Sequence, residues 1–191
     1  MGDLRHALVF ASLLFALPAF GAGDLDEHLI RRSDVPADAP QFADYPAKSY
    51  FGPNAAPDLR SEPRSRAYRT VLKSWASEKP NFAGHYVLAT WNCGASCVEI
   101  AIIDAITGKV FHPAGARSNF VFEVDDDLLE EVSMNPRRND FGSLHYRADS
   151  RLLMLVGNPN RSAKDRGISW FVWEGNDLKR IRIVRKVSRT Q

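Results

Sequence analysis

The sequence predicts an α+β fold that is mainly antiparallel β, with one sheet of about six to eight strands in sequential hairpins and one packed helix. Three observations support this prediction. From Gly84 onward, apolar residues recur with a period of two, which is typical of strands. Turn-forming residues separate these runs at short intervals, as they do between consecutive hairpin strands. An earlier stretch, residues 62–76, has the three-and-four apolar spacing of an amphipathic helix.

The first 22 residues have the layout of a cleaved secretory signal peptide. Arg5 and His6 precede a nearly unbroken apolar run over residues 7–20, and small residues follow it. The run has about fourteen residues, fewer than the ~20 of a spanning helix, so we expect cleavage between Gly21 and Gly23. The sequence therefore predicts a periplasmic or secreted chain without stable membrane insertion after cleavage.

The mature chain divides into an irregular, proline-rich segment over residues 23–59 and a single β-rich domain over residues 60–191 that begins with the helix. Ser61 is the expected N-cap of that helix, which ends before Pro80. Its expected buried stripe is Ala67, Val71, Leu72, Trp75 and Ala76.

The strands are expected in chain order after the helix. The first two, over residues 84–91 and 98–104, form a hairpin, and a turn in which Gly108 takes a positive φ follows them. The remaining expected strands cover residues 109–112, 120–124, 143–147, 152–156 and 168–173. Residues 178–187 fit a strand or a helix, and the acidic stretch 125–131 fits a short helix.

The two cysteines, Cys93 and Cys97, are expected to form a disulfide at the tip of the first hairpin. A close, isolated pair in an oxidising compartment is most simply a disulfide, and so short a closure contributes about 2 kcal/mol. One alternative is a copper or zinc site completed by His85, His112 or His145. Redox exchange is the other alternative, although redox motifs normally have two residues between the cysteines.

Several segments of the domain resemble an uncharacterised family of exported proteobacterial proteins. They are Gly-His-Tyr at 84–86, Trp-Asn-Cys-Gly-Ala-Ser-Cys at 91–97, Asp-Ala-Ile-Thr-Gly at 104–108, Asp-Ser-Arg-Leu-Leu at 149–153 and Trp-Glu-Gly at 173–175. The resemblance implies secretion and a β-rich domain, and it brings no activity.

The disulfide-closed loop is also loosely similar to that of the periplasmic inhibitors of vertebrate lysozyme. Their inhibitory loop has a His and an Asp between its cysteines, whereas this chain has Gly94, Ala95 and Ser96 there.

His85, beside Tyr86 at the start of the first strand, is the residue whose type best suits a base near neutral pH. It is the basis of a second hypothesis, a cell-envelope hydrolase. Its candidate partners in a catalytic triad are Asp104, Glu99, Ser96 and Cys93. No Gly-x-Ser-x-Gly elbow selects a nucleophile, and the chain has neither a Gly-rich phosphate loop nor a calcium-loop pattern. We therefore assign no catalytic residue, metal or cofactor.

Two other sets of side chains are candidates for contact with a partner. Most of the large aromatic residues belong in the core, and any that face outward suit a glycan or a protein. They are Trp91, Trp170, Trp173, Phe120, Phe122 and Phe171. The basic residues of the C-terminal segment would keep an edge strand from pairing with other sheets, or would contact an anionic envelope component. They are Lys179, Arg180, Arg182, Arg185, Lys186 and Arg189.

The formal net charge of +2 argues against a dedicated nucleic-acid binder. Since no catalytic signature is assembled, the rigid hairpin tip is the leading candidate site, because recognition tends to lie in loops on rigid scaffolds. The sequence thus predicts a non-enzymatic binding or inhibitor module for a periplasmic protein or an envelope glycan. Its expected binding loop is Asn92, Gly94, Ala95 and Ser96.

Overall fold

A computed structural model of the protein describes residues 29–124 and 142–186. The expected signal peptide, the acidic stretch 125–131 and Arg189 lie outside these residues. Within them the chain forms one open antiparallel sheet of eight strands, one α-helix and several short 3-10 turns, which confirms the predicted fold class. None of the helices in the described ranges has the length and apolarity needed to cross a bilayer.

The strands are, in chain order, β1 (Leu29–Ile30), β2 (Tyr86–Gly94), β3 (Cys97–Asp104), β4 (Val110–Phe111), β5 (Ser118–Val121), β6 (Glu123–Val124), β7 (Leu144–Tyr146), β8 (Leu152–Asn158), β9 (Gly167–Glu174) and β10 (Asp177–Arg185). Of residues 178–187, which fitted either a strand or a helix, residues 178–185 belong to strand β10. β1 and β6 form a separate parallel pair, which the sequence did not predict.

The main sheet has the order β10-β9-β8-β5-β3-β2, with β4 beside β3 and β7 beside β8. Most neighbours are consecutive in the chain, as expected for hairpins. The exception is β5, which pairs with β3 on one side and with β8 on the other. Through β5, the first hairpin is joined to the C-terminal strands.

The sheet curls strongly, so that one face encloses the main core. The rings of Tyr86 on β2 and Trp173 on β9 lie 5.3 Å apart. In a flat sheet, the spacing of ~4.8 Å between strands would separate these two strands by about 19 Å. Residues from both ends of the sheet therefore share one apolar cluster, which includes Leu88, Ile100, Ile102, Leu153, Leu155 and Phe171.

The helix packs on the sheet, as predicted, and it does so on the face of the first hairpin that points away from the main core. It is shorter than expected. Helix α1 covers Arg69–Ala76, and a 3-10 turn over Pro63–Arg66 precedes it. Leu72, Trp75 and Ala76 are buried against that face, whereas Ala67 is exposed.

Ser61 is not the N-cap, and the prediction that placed it there is wrong. Its hydroxyl accepts a hydrogen bond from the Val110 backbone N–H at 3.0 Å and donates to the Asp58 carbonyl at 2.6 Å. Because these contacts bind Ser61 to β4, its hydroxyl is the hydrogen-bond acceptor for a strand N–H and not for the N–H groups of a helix N-terminus. Tyr68 occupies the N-cap position and makes no side-chain cap.

The first part of the proline-rich segment, residues 29–45, packs on the outer face of β8 and β9 and includes two short 3-10 turns. Its second part lies beside the end of the β2–β3 hairpin, where the backbone N–H groups of Ala55 and Asp58 donate to the carbonyls of Ala105 and Gly108. Ile30 and Ala39 are buried in a second apolar cluster with Trp170. The Ser150 hydroxyl donates to the Phe42 carbonyl at 2.9 Å, which attaches the segment to the start of β8.

Candidate functional site

The tip of the β2–β3 hairpin is closed by the expected disulfide between Cys93 and Cys97, with a Cα–Cα distance of 5.1 Å. The strand register shifts just before the tip, where Gly94 pairs with Cys97. Gly94 and Ser96 both have positive φ, 136° and 49°. This backbone turns four residues outward, so the predicted loop residues Asn92, Gly94, Ala95 and Ser96 are all exposed.

The tip is held against β5 as well as by its own disulfide. The Val121 backbone N–H donates to the Ser96 carbonyl at 2.8 Å, and Cys97 pairs with Phe120 in the strand register. The Ser118 hydroxyl oxygen lies 3.8 Å from both sulfur atoms. The loop is thus a supported part of the sheet, and its conformation does not depend on the hairpin alone.

Arg161, which follows β8, places its guanidinium beside the disulfide. Its Nη2 lies 3.1 Å from the Cys97 sulfur, and its Nε donates to the Ser118 hydroxyl at 3.0 Å. The same guanidinium carbon lies 5.5 Å from the centre of the Phe120 ring, within the range of a cation–π contact. One cation therefore touches the disulfide, a hydroxyl and an aromatic ring.

The backbone that carries Arg161 is strained. Asn160 and Arg161 both have positive φ, 51° and 61°, although neither is glycine. Such conformations persist only where the surroundings determine them. The Asn160 side chain donates to the carbonyls of Ala114 and Gly115 at 2.8 and 3.0 Å and accepts from the Arg117 backbone N–H at 3.0 Å. These three bonds hold the turn that aims Arg161 at the disulfide.

Phe120 is the large aromatic residue that faces solvent at this site, with 38% of its surface exposed. The prediction that most of the aromatic set is core is confirmed: Trp170, Phe171, Trp173 and Phe122 are buried. Phe120 is brought beside the loop by the β3–β5 register. We refer to the surface made by Asn92, Gly94, Ala95, Ser96, Phe120 and Arg161 as the tip patch.

Beneath the tip patch, on the face that carries α1, a nearly buried carboxylate is paired. Both oxygens of Glu99 accept from Nη2 of Arg64 at 2.6 Å, and the Glu99 side chain is only 6% exposed. The Glu99 carboxylate raises the pKa of Arg64 further above its usual value. The Arg64 guanidinium also lies 5.2 Å from the centre of the Tyr68 ring. Because Arg64 belongs to the 3-10 turn before α1 and Glu99 belongs to β3, the ion pair joins this turn to β3.

His112 lies beside this ion pair, with its Nε2 at 3.2 Å from the Ser65 hydroxyl. Burial, followed by the charges of Arg64 and Arg117, lowers the pKa of His112 from 6.5 to about 4. Ser65 is completely buried, and no described residue makes a hydrogen bond to the buried Nδ1 of His112. The pair therefore lacks both the substrate access and the orienting carboxylate of a catalytic serine site.

Of the residues of the hydrolase hypothesis, His85 and Asp104 lie near each other, but the candidate nucleophiles Cys93 and Ser96 are far from both. His85 Nε2 lies 3.8 Å from Asp104 Oδ1, and its ring packs on Tyr86 at 4.1 Å. The same Asp104 oxygen accepts backbone N–H groups at 2.8 and 3.2 Å, as in a tight turn. Because a strand rises ~3.3 Å per residue, Cys93 and Ser96 lie at the other end of the hairpin, about 26 Å from His85.

The cysteines and histidines also do not converge on a metal site within the described ranges. Both thiols are used in the disulfide. His85 lies by Asp104, His112 by Ser65, and His145 is buried on β7 opposite Met154. No three His, Cys, Asp or Glu side chains there are close enough to bind one ion.

The basic residues of the C-terminal segment lie on the edge strand β10 or directly after it, and each described one faces an acid. Asp165 lies 3.0 Å from Arg180 and 3.5 Å from Arg185, and the Arg180 hydrogen bond lowers the pKa of Asp165. The other pairs are Lys179 with Glu174, Arg182 with Asp38, and Lys186 with Asp34. The positive charge of this strand is therefore largely balanced locally.

The sequence predicts the loop as a candidate site but does not indicate Ser118, Asn160 or Arg161 as part of it. The Asn-Pro-Asn-Arg run at 158–161 signalled a turn, since asparagine tolerates positive φ. Nothing in that run indicated which strand the turn would face. No protein-family model matches the chain, and searches of curated proteins and of solved structures find no match either.

Proposed function

We propose that the protein is an exported binding or inhibitor module, acting in the periplasm or outside the cell, and that the tip patch is its recognition surface. The observation that carries this proposal is the exposed Phe120–Arg161 pair, fixed beside a disulfide-closed loop. Aromatic residues and arginine dominate the binding energy of protein interfaces, and rigid elements lose little entropy on binding.

The small loop residues suit this role. Gly94, Ala95 and Ser96 leave the backbone of the tip open to close approach, while Phe120 supplies apolar area and Arg161 supplies N–H donors. This combination suits a partner that has an apolar cavity bordered by carboxylates or carbonyls. An envelope protein is the first class that fits, and a glycan that stacks on Phe120 is the second.

Photo-crosslinking tests the proposal directly. Benzoylphenylalanine is introduced at position 95 in the tip patch and, as a matched control, at position 106. Ile106 is also exposed, at 52%, but lies in the turn at the opposite end of β3. We expect position 95 to give a discrete adduct in the cell envelope and position 106 to give none. Protease or glycosidase digestion of the adduct then separates a protein partner from a glycan.

Substitutions within the patch add a quantitative criterion. Phe120→Ala and Arg161→Ala should each weaken capture by roughly five- to thirtyfold, the range for truncating an interface anchor by about 1–2 kcal/mol. Thermal unfolding of both variants should show that they remain folded. Equal adducts from positions 95 and 106, or capture unaffected by both substitutions, would contradict the proposal.

A further inference from the structure

The two sulfur atoms of the disulfide have different surroundings. Cys93 is half-buried at the edge of the tip, whereas Cys97 is only 3% exposed. Of the two sulfur atoms, that of Cys97 is the one that has a cation against it among the described residues, with Nη2 of Arg161 at 3.1 Å. An incoming group from solvent therefore meets the Cys93 sulfur, while the Cys97 sulfur is positioned for stabilisation as an anion.

We propose that the Cys93–Cys97 disulfide is a thiol–disulfide exchange site for dithiol reductants, in which Cys93 is attacked and Cys97 is the leaving thiolate. The steps balance as follows. A thiolate of the dithiol bonds to the Cys93 sulfur, the Cys93–Cys97 bond breaks, and Cys97 takes the electron pair. The second thiol of the reductant, after losing its proton, attacks the mixed disulfide and releases Cys93 as a thiolate. Both cysteines end as thiols after protonation, and the reductant leaves as a disulfide.

Arg161 determines which sulfur leaves. Exchange is faster when the leaving thiol has a lower pKa, and a cation near a cysteine lowers that pKa. Burial acts in the opposite direction. Here the guanidinium against Cys97 is itself exposed, so a Cys97 thiolate would be paired with a cation and not buried alone. The Ser118 hydroxyl, 3.8 Å from the same sulfur, can turn its O–H toward it.

The three-residue spacing of the cysteines does not exclude this chemistry. In the two-residue redox motif, a helix N-terminus commonly supplies the positive potential. Here a side chain from a turn 64 residues away supplies it. The strained backbone at Asn160 and Arg161 is further support, because such strain is typical of functional positions.

Opening the disulfide leaves the sheet intact. The pairs Trp91–Glu99 and Asn92–Val98 close the β2–β3 ladder before the disulfide is reached. The Val121 N–H also continues to hold the tip through the Ser96 carbonyl. Reduction and reoxidation can therefore occur within the folded protein.

Single-thiol variants test the assignment of the leaving group. Cys93→Ser leaves Cys97 beside Arg161, and Cys97→Ser leaves Cys93 near solvent. Thiolate absorbance at 240 nm gives each pKa. We expect Cys97 to titrate below the ~8.5 of an ordinary cysteine and below Cys93. Adding Arg161→Ala to Cys93→Ser should raise the Cys97 pKa by roughly one or more units, and Arg161→Lys should raise it less.

Exchange kinetics test the function of the intact disulfide. Opening of the disulfide by dithiothreitol is followed by alkylation and mass spectrometry at a fixed pH. Arg161→Ala should slow opening by roughly three- to thirtyfold, given a pKa effect of 1–3 units and the partial dependence of exchange on thiol pKa. Arg147→Ala, which removes an exposed arginine paired with Asp149, should leave the rate unchanged.

The attacked sulfur is identified by trapping the mixed disulfide with a monothiol and mapping it by peptide analysis. We expect the adduct on Cys93. An adduct mainly on Cys97, a Cys97 pKa at or above that of Cys93, or a rate indifferent to Arg161→Ala would overturn the proposal. None of these experiments uses a binding partner, so their outcome is independent of the proposed recognition function.

Discussion

His112 should make the stability of the protein depend on pH between 7 and 5. Its pKa falls from 6.5 to about 4 in the folded protein, mainly because it is buried against Ser65 and next to Arg64. The unfolded state therefore binds a proton on this histidine at pH values where the folded state does not. Stability is complete above about pH 6.5 and is lost progressively as the pH falls toward 4.

The magnitude follows from the two pKa values. Each unit of difference corresponds to 1.36 kcal/mol, so the full effect is about 3 kcal/mol. Integrated between pH 7 and pH 5, the loss is about 2 kcal/mol, and partial solvent screening at His112 makes this an upper value.

Urea unfolding of the wild type and of His112→Gln at both pH values measures this effect. Tryptophan fluorescence reports the transition. Glutamine does not titrate and can still accept a hydrogen bond from Ser65, so the variant should lose about 2 kcal/mol less than the wild type on going from pH 7 to pH 5. As a control, His85→Gln leaves His112 in place and should keep the pH-dependent contribution of His112 to the free energy of unfolding. If wild type and His112→Gln lose stability in parallel, His112 is not held neutral in the folded protein and the reasoning fails.

Three further changes should alter stability through different contacts. Arg64→Ala leaves the Glu99 carboxylate buried without its cation, which should cost about 2–3 kcal/mol in urea unfolding, since the guanidinium is partly exposed. Gly157→Ala places a methyl group against the backbone of β5 at a φ of 144°, and should lower the melting temperature through a cost of about 2–4 kcal/mol. The double variant C93S/C97S should lose about 2 kcal/mol in urea unfolding while keeping the far-UV circular dichroism of the fold.

Matched controls separate these causes from general effects of substitution. Arg147→Ala removes a surface arginine whose pair with Asp149 is more than half exposed, so it should cost below about 1 kcal/mol. Gly175→Ala has a positive φ of 61° but contacts no backbone, and should cost about 1–2 kcal/mol. Costs for Arg64→Ala and Gly157→Ala no larger than those of their controls would contradict the roles assigned to the ion pair and to the close β5–β8 contact. An unchanged unfolding midpoint for C93S/C97S would show that the disulfide adds no net stability.

The parts of the fold that depend on neighbouring residues were predictable. The β2–β3 hairpin follows from period-two patterning, and its disulfide follows from the short sequence separation of Cys93 and Cys97. The outcome for the helix was mixed. Leu72 and Trp75 are buried as their spacing indicates, but Ser61 bonds to a strand that lies 49 residues away. An N-cap assigned from local sequence cannot take into account a distant strand N–H that binds the same hydroxyl.

The location of the candidate site followed from the sequence, but its chemistry did not. The loop residues are exposed as expected. The distances between the proposed triad members could not be inferred from residue types, because they depend on the hairpin, which places His85 and Ser96 at opposite ends. Phe120 belonged to a set of large aromatic residues, and the sequence pattern does not show which members of that set face solvent. Its exposure became apparent only from the register of β5 against β3.

The elements of the fold were predictable from the sequence: a sheet of hairpins, one helix and a cysteine pair at a turn, together with an expected export signal. These follow from periodicity, turn chemistry and composition, which act over a few residues. The contacts of Arg161 with Cys97 and with the Phe120 ring are visible in the three-dimensional structure alone. Those contacts depend on how β5 pairs with both β3 and β8, and strand pairing over about 20 to 40 residues is set by the packing of the whole core, not by any local pattern.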